Sequence, residues 1–370
     1  MTIGVTGAAG FLGANLLRYL HGRTADRGDR LVAFYSRRRH NPLTEPLGLA
    51  AEHLDVTCRE EVLEKTRGIE LLFHLAGVIE YSRRNTQRAW EVNVLGTRNV
   101  LEAALRNRIR KLICVSSICV LGTCPPDAPP AGESNPIYGV PDNPISFRDR
   151  ADVLAAIQAS LAGDYSFCRA VRVPYFDTKL AAYELAREYH RAHGLPVVVV
   201  CPGTAVGAGD VGVSITKLVY RVFTNRLMFT LPGGTSFVSA ADVSAGIWLS
   251  CLEGRIGESY ILTGTEQDNL SYRKFMELVA TVSRECYGKP VRSRFATVPA
   301  AVARALARAA GAVLPAGELN EGLVLSGSVF QRFSNRKASG ELGYAPQVAL
   351  RRSIKECLDF YLCHQQERTR

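Results

Sequence analysis

The sequence predicts an α/β fold, a doubly wound parallel sheet flanked by helices, followed by a smaller C-terminal α+β cap. Three observations support this prediction. A short apolar run and a glycine-rich turn open the chain, strand-like and helix-like segments then alternate up to residue 209, and beyond it the rhythm loosens into helices separated by short strands. Alternation of this kind is typical of parallel sheets, because each parallel crossover needs a helix.

Two domains follow from this rhythm. We expect the first over residues 1–210, with an insertion at about 146–173, and the second mainly over residues 211–370. Some segments of the second stretch could return to the first domain. The expected cap is the part that binds the substrate.

Size and composition narrow the function classes. The 370 residues are 47% hydrophobic, which suffices for a large core, and no apolar run approaches the length of a membrane span. No leader-like segment precedes the first strand, so we expect a cytoplasmic protein. The ten cysteines show no metal-ligand spacing, so we expect reduced thiols and no metal. Although the net charge is +10, no basic tail or aromatic-basic interleaving indicates nucleic-acid binding.

The first thirteen residues, MTIGVTGAAGFLG, predict a phosphate cradle. Ile3 and Val5 suit a buried strand, and Gly7, Gly10 and Gly13 are three residues apart where the backbone must turn. A helical pattern of leucines follows. A strand, a glycine-rich turn and a helix N-terminus together present N–H groups to a pyrophosphate. An ordinary βα turn is the alternative.

The remaining elements follow from apolar periodicity. Continuous apolar runs predict buried strands, and apolar residues at helical spacing predict helices. The expected strands cover residues 30–35, 70–76, 111–115 and 196–201, and the expected helices cover 90–105, 151–161 and 174–193. In the cap, we expect helices over 215–225, 241–252, 271–287 and 298–314 and a strand over 259–262.

The end of the second strand indicates which dinucleotide binds. NAD sites usually place an acidic residue there for the ribose hydroxyl, whereas a 2′-phosphate needs a cation and small donors. This chain has Ser36, Arg37 and Arg38 instead, so NADP is favoured over NAD. A solvated arginine cluster is the alternative. Asp55, before Val56, is a candidate acceptor for the adenine amino group.

Tyr175 and Lys179 are the candidate chemical pair. They are four residues apart and share one helix face. Hydride transfer at a nicotinamide requires a proton to move at the substrate oxygen, and a neighbouring ammonium helps a phenol to move it. Ser116 and Ser117 stand at the end of the strand over 111–115, where open α/β sheets bind their ligands.

At these residues the chain resembles the extended short-chain dehydrogenase/reductase family, of the NAD-dependent epimerase/dehydratase type with a Rossmann fold. The resemblance covers almost the whole chain in family order. The matching segments are TGAAGFLG (6–13), DV (55–56), HLAG (74–77), VNVLGT (92–97), VSSICVLG (115–122), YFDTK (175–179), PGTAVGAGD (202–210), GGTSFVSAADVSAG (233–246), GESYILTG (257–264) and RKASGELGYAP (336–346).

The resemblance implies a role for each site residue. It makes Tyr175 the acid/base, Lys179 its partner, Ser117 the donor to the substrate oxygen, with Ser116 competing, and Asn93 a residue beneath the site. It also implies a set of residues that hold the cofactor: Gly7, Gly10, Phe11, Leu12, Gly13, Ser36, Arg37, Arg38, Asp55, Val56, Leu75, Ala76, Gly77, Tyr175, Lys179, Pro202, Gly203 and Thr204.

Two departures from nucleotide-sugar relatives bear on the substrate. Where those relatives commonly carry an Asn and an Arg-Asp pair for the diphosphate, this chain has Cys201 and Ser236-Phe237. The pattern is more similar to dihydroflavonol reductase and 3β-hydroxysteroid dehydrogenase relatives, which take apolar ketones or alcohols. The leading hypothesis is therefore an NADP-dependent oxidoreductase acting on a mainly apolar small molecule. A nucleotide-sugar epimerase or dehydratase and a non-catalytic dinucleotide-binding protein stay open, as does a homodimer.

Two further segments have two interpretations each. Residues 146–173 lengthen the connection between Ser117 and Tyr175 and should form a lid over the site, or else a surface excursion. The alanine-rich stretch 298–314, with Arg304 and Arg308, is either a helix on a membrane or partner surface or a packed cap helix.

Overall fold

The computed structural model describes residues 1–24, 28–36, 41–140, 143–211, 215–226, 229–292, 294–313 and 320–368. The strands are β1 (Thr2–Thr6), β2 (Arg30–Tyr35), β3 (Ala50–His53), β4 (Leu71–His74), β5 (Lys111–Val115), β6 (Val197–Pro202), β7 (Thr204–Val206), β8 (Phe229–Thr230), β9 (Gly234–Ser239), β10 (Ser259–Leu262), β11 (Asn269–Ser271), β12 (Ala296–Thr297) and β13 (Phe330–Gln331).

The helices alternate with these strands in the first half of the chain and dominate the second half. They are α1 (Phe11–Thr24), α2 (Arg59–Lys65), α3 (Thr86–Trp90), α4 (Gly96–Arg106), α5 (Arg150–Leu161), α6 (Pro174–His193), α7 (Ile215–Phe223), α8 (Ala240–Leu252), α9 (Tyr272–Tyr287), α10 (Ala300–Val313), α11 (Glu321–Ser328), α12 (Arg336–Leu342) and α13 (Leu350–Arg368).

Seven parallel strands form the main sheet, in the order β10-β6-β5-β4-β1-β2-β3. The chain starts at β1, moves outward to β3, and then returns to build the other half from β4. Ile3 is in register with Leu31 on one side and Leu71 on the other. The order of the strands therefore reverses between β1 and β4, which is where open parallel sheets bind ligands. The predicted α/β fold with a doubly wound sheet is confirmed.

Helices cover both faces of this sheet, which explains its continuous apolar strands. On one face Leu16 of α1 and Ile247 of α8 pack on the sheet, and on the other face Val100 of α4 and Leu180 of α6 do so. All four side chains are fully buried. The sheet thus lies between two apolar cores, and the polar residues at the ends of its strands are available to form a site.

A segment from the second half of the chain completes the main sheet. The strand expected over residues 259–262 is β10, and its Ser259 is in register with Val199 of β6. The preceding helix α8 packs against α1 through Val243 and Ile247. Residues 240–262 therefore belong to the layers of the first domain.

The structure replaces the single helix expected over 90–105 with three pieces. Helix α3 ends at Trp90, a π-helical turn covers Glu91–Leu95, and α4 starts at Gly96. Asn93 lies inside this turn and bonds to the backbone of the loop that follows β4. Single π turns of this kind are frequent at functional sites.

The cap is built on a small second sheet. Its central strand β9 pairs with β7, β11 and β13, and helices α7, α9 and α13 pack beside it. Phe237 of β9 stacks on Phe275 of α9 with ring centroids 4.1 Å apart. Across the described ranges, no helix has both the length and the apolar character needed to cross a membrane, and no group of three metal-ligating side chains occurs.

Gly13→Ala and Gly22→Ala test the tight turn that opens the fold. Both glycines lie in α1, but a Cβ at Gly13 would lie 2.2 Å from the Gly7 carbonyl oxygen, whereas a Cβ at Gly22 meets nothing within 4 Å. We expect Gly13→Ala to lower the free energy of unfolding by about 1–3 kcal/mol, as overpacking does. Gly22→Ala should leave it unchanged or raise it by up to about 1 kcal/mol, because alanine favours helix. Urea denaturation measures both, and equal stabilities would contradict the close approach.

Candidate active site

A turn without room for side chains joins β1 to α1. Gly7 has φ +69°, and a Cβ there would lie 2.7 Å from the backbone nitrogen of Ala76 at the end of β4. The Gly10 N–H donates to the Gly7 carbonyl, and α1 starts one residue later. The first N–H groups of a helix have no partner within it, so the turn and α1 together offer an anion site.

Buried hydrogen bonds fix the end of β4 against this turn. The Thr6 hydroxyl lies 2.8 Å from His74 Nδ1 and also accepts from the backbone N–H groups of Leu75 and Ala76, and His74 Nε2 lies 3.0 Å from the Thr97 hydroxyl. Burial lowers the pKa of His74 to about 3, and the Lys179 ammonium adds to this. His74 is therefore neutral at neutral pH and connects β1, β4 and α4.

Asn93 holds the loop that follows β4. Its Nδ2 donates to the Val78 carbonyl and to the Thr178 hydroxyl, and its Oδ1 accepts from the Val78 N–H at 2.8 Å. A Cβ at Gly77 would lie 3.0 Å from Asn93 Oδ1 and 3.6 Å from Lys179 Nζ. Asn93 thus lies directly beneath the open edge of β4, next to the side chains of α6.

Tyr175, Ser117 and Lys179 meet at the carboxyl end of β5. The Ser117 hydroxyl lies beside the Tyr175 hydroxyl and acts to lower the pKa of the phenol. Lys179 Nζ donates to the Val115 carbonyl oxygen at 3.0 Å. Burial raises the pKa of Tyr175, and the Ser117 hydroxyl opposes this rise, whereas burial lowers the pKa of Lys179. The enclosure therefore favours the neutral form of each group, and a hydroxyl already faces the phenol.

The two adjacent serines point in different directions. The Ser117 hydroxyl lies beside that of Tyr175 and accepts from the Cys119 N–H at 3.2 Å. Ser116 lies beside the Cys201 thiol of the neighbouring strand β6. Because alternate residues of an extended chain face opposite sides, only one of the two serines can reach the phenol.

The expected cofactor residues surround this edge of the sheet. Ser36 is exposed at the end of β2, and Arg37 and Arg38 lie outside the described residues. Burial acts to raise the pKa of Asp55, but hydrogen bonds from Thr57 to its Oδ1 outweigh burial and lower it. The residues that line the edges of the turn and the strand ends are Gly7, Gly10, Phe11, Leu12, Gly13, Val56, Leu75, Ala76, Gly77, Pro202, Gly203 and Thr204.

Gly203 also has no room for a side chain. A Cβ there would lie 2.4 Å from the Ser236 carbonyl oxygen, while the Gly203 N–H donates to Leu262 at 3.0 Å. The loop after β6 is therefore pressed between β9 and β10. This contact brings the base of the cap up to the main sheet beside the site.

Sequence reasoning missed the aromatic wall of the site. The Tyr81 ring lies 5.8 Å from the Tyr175 ring, and its hydroxyl lies near that of Ser326 of α11. Gly322 of α11 fits against the Tyr81 carbonyl, where a Cβ would lie 2.2 Å away. Burial raises the pKa of Tyr81, with Tyr175 and Tyr272 contributing. No local signal marks these residues, since they come from distant parts of the chain.

Helix α5 of the insertion does not cover the site, so the predicted lid is wrong for this helix. Residues of an α-helix are about 100° apart, so Tyr175 and Lys179 lie within about 40° of each other, whereas Glu184 and Glu188 lie about 180–220° from Tyr175. Arg150 of α5 bonds to both glutamates. Helix α5 therefore packs along the opposite face of α6, as a surface excursion.

Both ends of the insertion are tied to Asp177, which is on that same outer face. Asp177 is fully buried and accepts from the backbone N–H and the hydroxyl of Ser146. The Ser146 hydroxyl in turn accepts from the Arg172 N–H at 2.8 Å. Burial raises the pKa of Asp177 to about 7, against the effect of these hydrogen bonds. The titratable carboxyl of Asp177 thus holds the two ends of the insertion together, about half a helical turn from Tyr175.

Comparison with known proteins identifies the family. The model of the NAD dependent epimerase/dehydratase family matches residues 3–146 and 155–262, which is more than half of the chain. The chain belongs to this family. It is therefore an enzyme of the extended short-chain dehydrogenase/reductase type, with a nicotinamide cofactor. The gap in the match falls within the insertion that carries α5.

Curated relatives agree with this assignment. The chain is 29% identical over 266 residues to the sterol demethylase protein B of Methylococcus capsulatus, covering 71% of this chain and 70% of that protein. It is 25% identical over 288 residues to a putative dihydroflavonol 4-reductase of Synechocystis, covering 75% and 71%. A shorter match, 33% over 144 residues, is to human 3 beta-hydroxysteroid dehydrogenase type 7, covering 38% and 37%. The resemblance found in the sequence is thus confirmed.

Solved structures confirm the fold. The dTDP-glucose 4,6-dehydratase DesIV from Streptomyces venezuelae, crystallised with NAD, superimposes with a TM-score of 0.71 at 21% identity, covering 98% of this chain and 97% of that one. The similarity extends through both the main sheet and the cap.

The cradle of this chain fits a dinucleotide. Side chains at Gly7 and Gly13 would strike backbone atoms, so this turn brings its main chain, free of side chains, to the sheet edge between β1 and β4. The half-buried Asp55 has its Oδ1 bonded to Thr57 and follows β3, which is two strands away from β1 in the sheet. These residues suit phosphate and base recognition respectively.

Asp177→Asn should change how stability depends on pH. The folded pKa of about 7 lies above the ordinary value of 3.8, so the folded state holds this proton more tightly than the unfolded state. The wild-type free energy of unfolding should therefore fall, relative to the variant, as pH rises from about 4 to about 7, by on the order of 4 kcal/mol, and level off above. Urea titrations of both proteins from pH 5 to 8 measure this.

The control is Asp127→Asn, which removes an exposed carboxylate. Its pH profile should run parallel to that of the wild type. If Asp177→Asn also ran parallel, the carboxyl would not be enclosed as described.

Proposed function

We propose that this enzyme is an NADP-dependent oxidoreductase that transfers a hydride between nicotinamide and a ketone or secondary alcohol of a mainly apolar small molecule. One observation carries the proposal. The half-buried Tyr175 phenol lies beside the Ser117 hydroxyl, and Lys179 follows one turn later on the same face of α6. This group of three lies at the carboxyl edge of the sheet, next to the glycine turn.

Each side chain has a distinct task in this proposal. The nicotinamide, when bound, supplies or accepts the hydride. Ser117 donates a hydrogen bond to the substrate oxygen, and the Tyr175 hydroxyl gives that oxygen its proton in reduction or receives it in oxidation. Lys179, held by the Val115 carbonyl, favours the phenolate by its charge and counters the effect of burial. Asn93 supports the floor of the site through Val78 and Thr178.

The choice of an apolar substrate rests on the places where a nucleotide diphosphate would need partners. Cys201, Ser236 and Phe237 are buried. The Ser236 hydroxyl accepts from the Phe333 N–H, and Phe237 stacks on Phe275. These positions belong to the interior, so they offer no cation or amide to a diphosphate. The aromatic wall of Tyr81 and Tyr175 suits an apolar ring system instead.

The names of the relatives suggest which compounds to test first. Two carry sterol or hydroxysteroid in their names. We therefore infer a fused-ring alcohol or ketone as the substrate class. A 3β-hydroxysteroid with NADP⁺, and a 3-ketosteroid with NADPH, should change the absorbance of the nicotinamide at a rate that depends on enzyme concentration. Turnover of UDP-glucose or dTDP-glucose, with none of either steroid, would overturn the proposal.

Tyr175→Phe should reduce kcat by about 10²–10⁴-fold, because the phenol carries the proton. NADPH affinity, measured by fluorescence titration, should stay within about two-fold, since the hydroxyl acts on the substrate. Lys179→Met should harm both. The matched control is Tyr189→Phe at the far end of α6, which should keep full turnover. Wild-type turnover in Tyr175→Phe would show that another group moves the proton.

Arg37→Asp should weaken NADPH binding at least about ten-fold more than NADH binding. The change replaces a partner of the 2′-phosphate with a like charge and leaves the glycine turn intact. Arg67→Asp, on an exposed turn after α2, makes the same charge change away from β2 and should affect neither cofactor. Equal losses for NADPH and NADH would mean that Arg37 contributes only to the general surface charge.

A further inference from the structure

Helix α10 carries an apolar strip that nothing in the described chain covers. Val302 and Leu306 are 50% and 56% exposed, whereas Ala303 and Ala307 are buried. At about 100° per residue, Val302, Ala305, Leu306 and Ala309 fall within one arc of about 100°. This arc is separate from the buried Ala303/Ala307 side. Helix α10 therefore has two apolar faces, and only one of them packs against the protein.

The ribbon that leads into α10 exposes a third large apolar side chain. Phe229 of β8 is 54% exposed and is in register with Ala296 of β12. Val298 then bonds back to Thr230, and α10 starts two residues later. We call Phe229, Val302 and Leu306 the apolar patch.

The segment that contains Val302 and Leu306 is basic. From residue 286 to residue 317 the sequence contains no Asp or Glu, and its basic residues are Lys289, Arg292, Arg294, Arg304 and Arg308. Arg292, Arg294 and Arg304 are exposed. Arg308 pairs with Glu321 of α11 at 2.6 Å. Exposed apolar side chains among exposed arginines are typical of a helix that lies on an anionic bilayer surface.

The apolar patch is one helix away from the candidate site. The buried face of α10 packs on Val324 of α11. On its other side α11 contacts the Tyr81 backbone through Gly322. A surface that contacts α10 would therefore lie above the aromatic wall of the site.

We propose that the face formed by α10 and the β8–β12 ribbon docks on lipid bilayers that contain anionic phospholipid. Val302, Leu306 and Phe229 would enter the boundary between headgroups and acyl chains, and the arginines would contact the phosphates. A protein partner would need a strongly acidic groove, whereas an anionic bilayer provides both the charge and the apolar layer. The inference does not rest on the proposed function, although it would bring an apolar substrate to the site.

Vesicle co-sedimentation tests the proposal with the full chain. The vesicles are phosphatidylcholine alone, or phosphatidylcholine with about one third phosphatidylglycerol. The wild type should bind the anionic vesicles at least about ten-fold more tightly than the neutral ones, and added salt should release it. Val302→Glu with Leu306→Glu should reduce binding at least about ten-fold, because two charges would replace the inserted side chains.

The matched control introduces the same two charges at other exposed apolar residues. Leu252 and Ile256, at the end of α8 and just after it, are 51% and 42% exposed. Leu252→Glu with Ile256→Glu should bind vesicles as the wild type does, within about two-fold. Circular dichroism and thermal melting establish that both variants are folded, which is expected because all four positions are exposed.

Four outcomes would overturn the proposal. Equal binding of the wild type to neutral and anionic vesicles would mean that this face does not dock. Equal binding of the wild type and the α10 variant to anionic vesicles would mean the same. An equal loss in both variants would mean that only the net charge matters. A wild-type dimer in analytical ultracentrifugation that ignores vesicles and becomes a monomer in the α10 variant would show that a second copy covers the face.

Discussion

The close contact between the first turn and the end of β4 is the constraint on which the rest of the site depends. Gly7 lies so near the backbone of Ala76 that no side chain fits between them, and Gly13 lies equally near Gly7 itself. The Thr6 hydroxyl then binds the N–H groups that follow β4. Because β1 and β4 flank the point where strand order reverses, this contact sets the width of the crevice that ligands enter.

Helix α6 positions Tyr175 and Lys179 at this edge of the sheet. Its inner face carries Tyr175 and Lys179 toward β5, and its outer face carries Asp177 and Glu184 toward the insertion. The insertion therefore supports the helix from behind. Its two ends meet at Ser146 and Arg172. The buried Asp177 accepts two hydrogen bonds from Ser146 and so holds these ends together, as a short loop would in other connections.

Burial acts on the site in a consistent direction. It raises the pKa of Tyr175 and lowers the pKa of Lys179 and His74, so each group is neutral more readily than in water. In such surroundings a nearby charge or hydroxyl has a large effect on a phenol. The Ser117 hydroxyl is the neighbour that opposes the effect of burial on the pKa of Tyr175.

The sequence by itself determined the parts of this protein that depend on local pattern. The strand expected over 111–115 is β5, residue for residue, because an apolar run between two polar ends can form only one strand buried on both faces. The glycine spacing of the first turn and the four-residue spacing of Tyr175 and Lys179 are likewise local, since each depends on backbone geometry alone.

Only the tertiary structure decided which surfaces meet. The spacing of Val153 and Ile157 showed that α5 buries one face, but the partner of that face is the outer side of α6, set by Arg150, Glu184 and Glu188. The π turn at Asn93 depends on a loop fifteen residues earlier in the chain, and the Tyr81–Gly322 contact joins segments that share no local pattern. An amphipathic period specifies that a face is covered, whereas long-range packing selects what covers it.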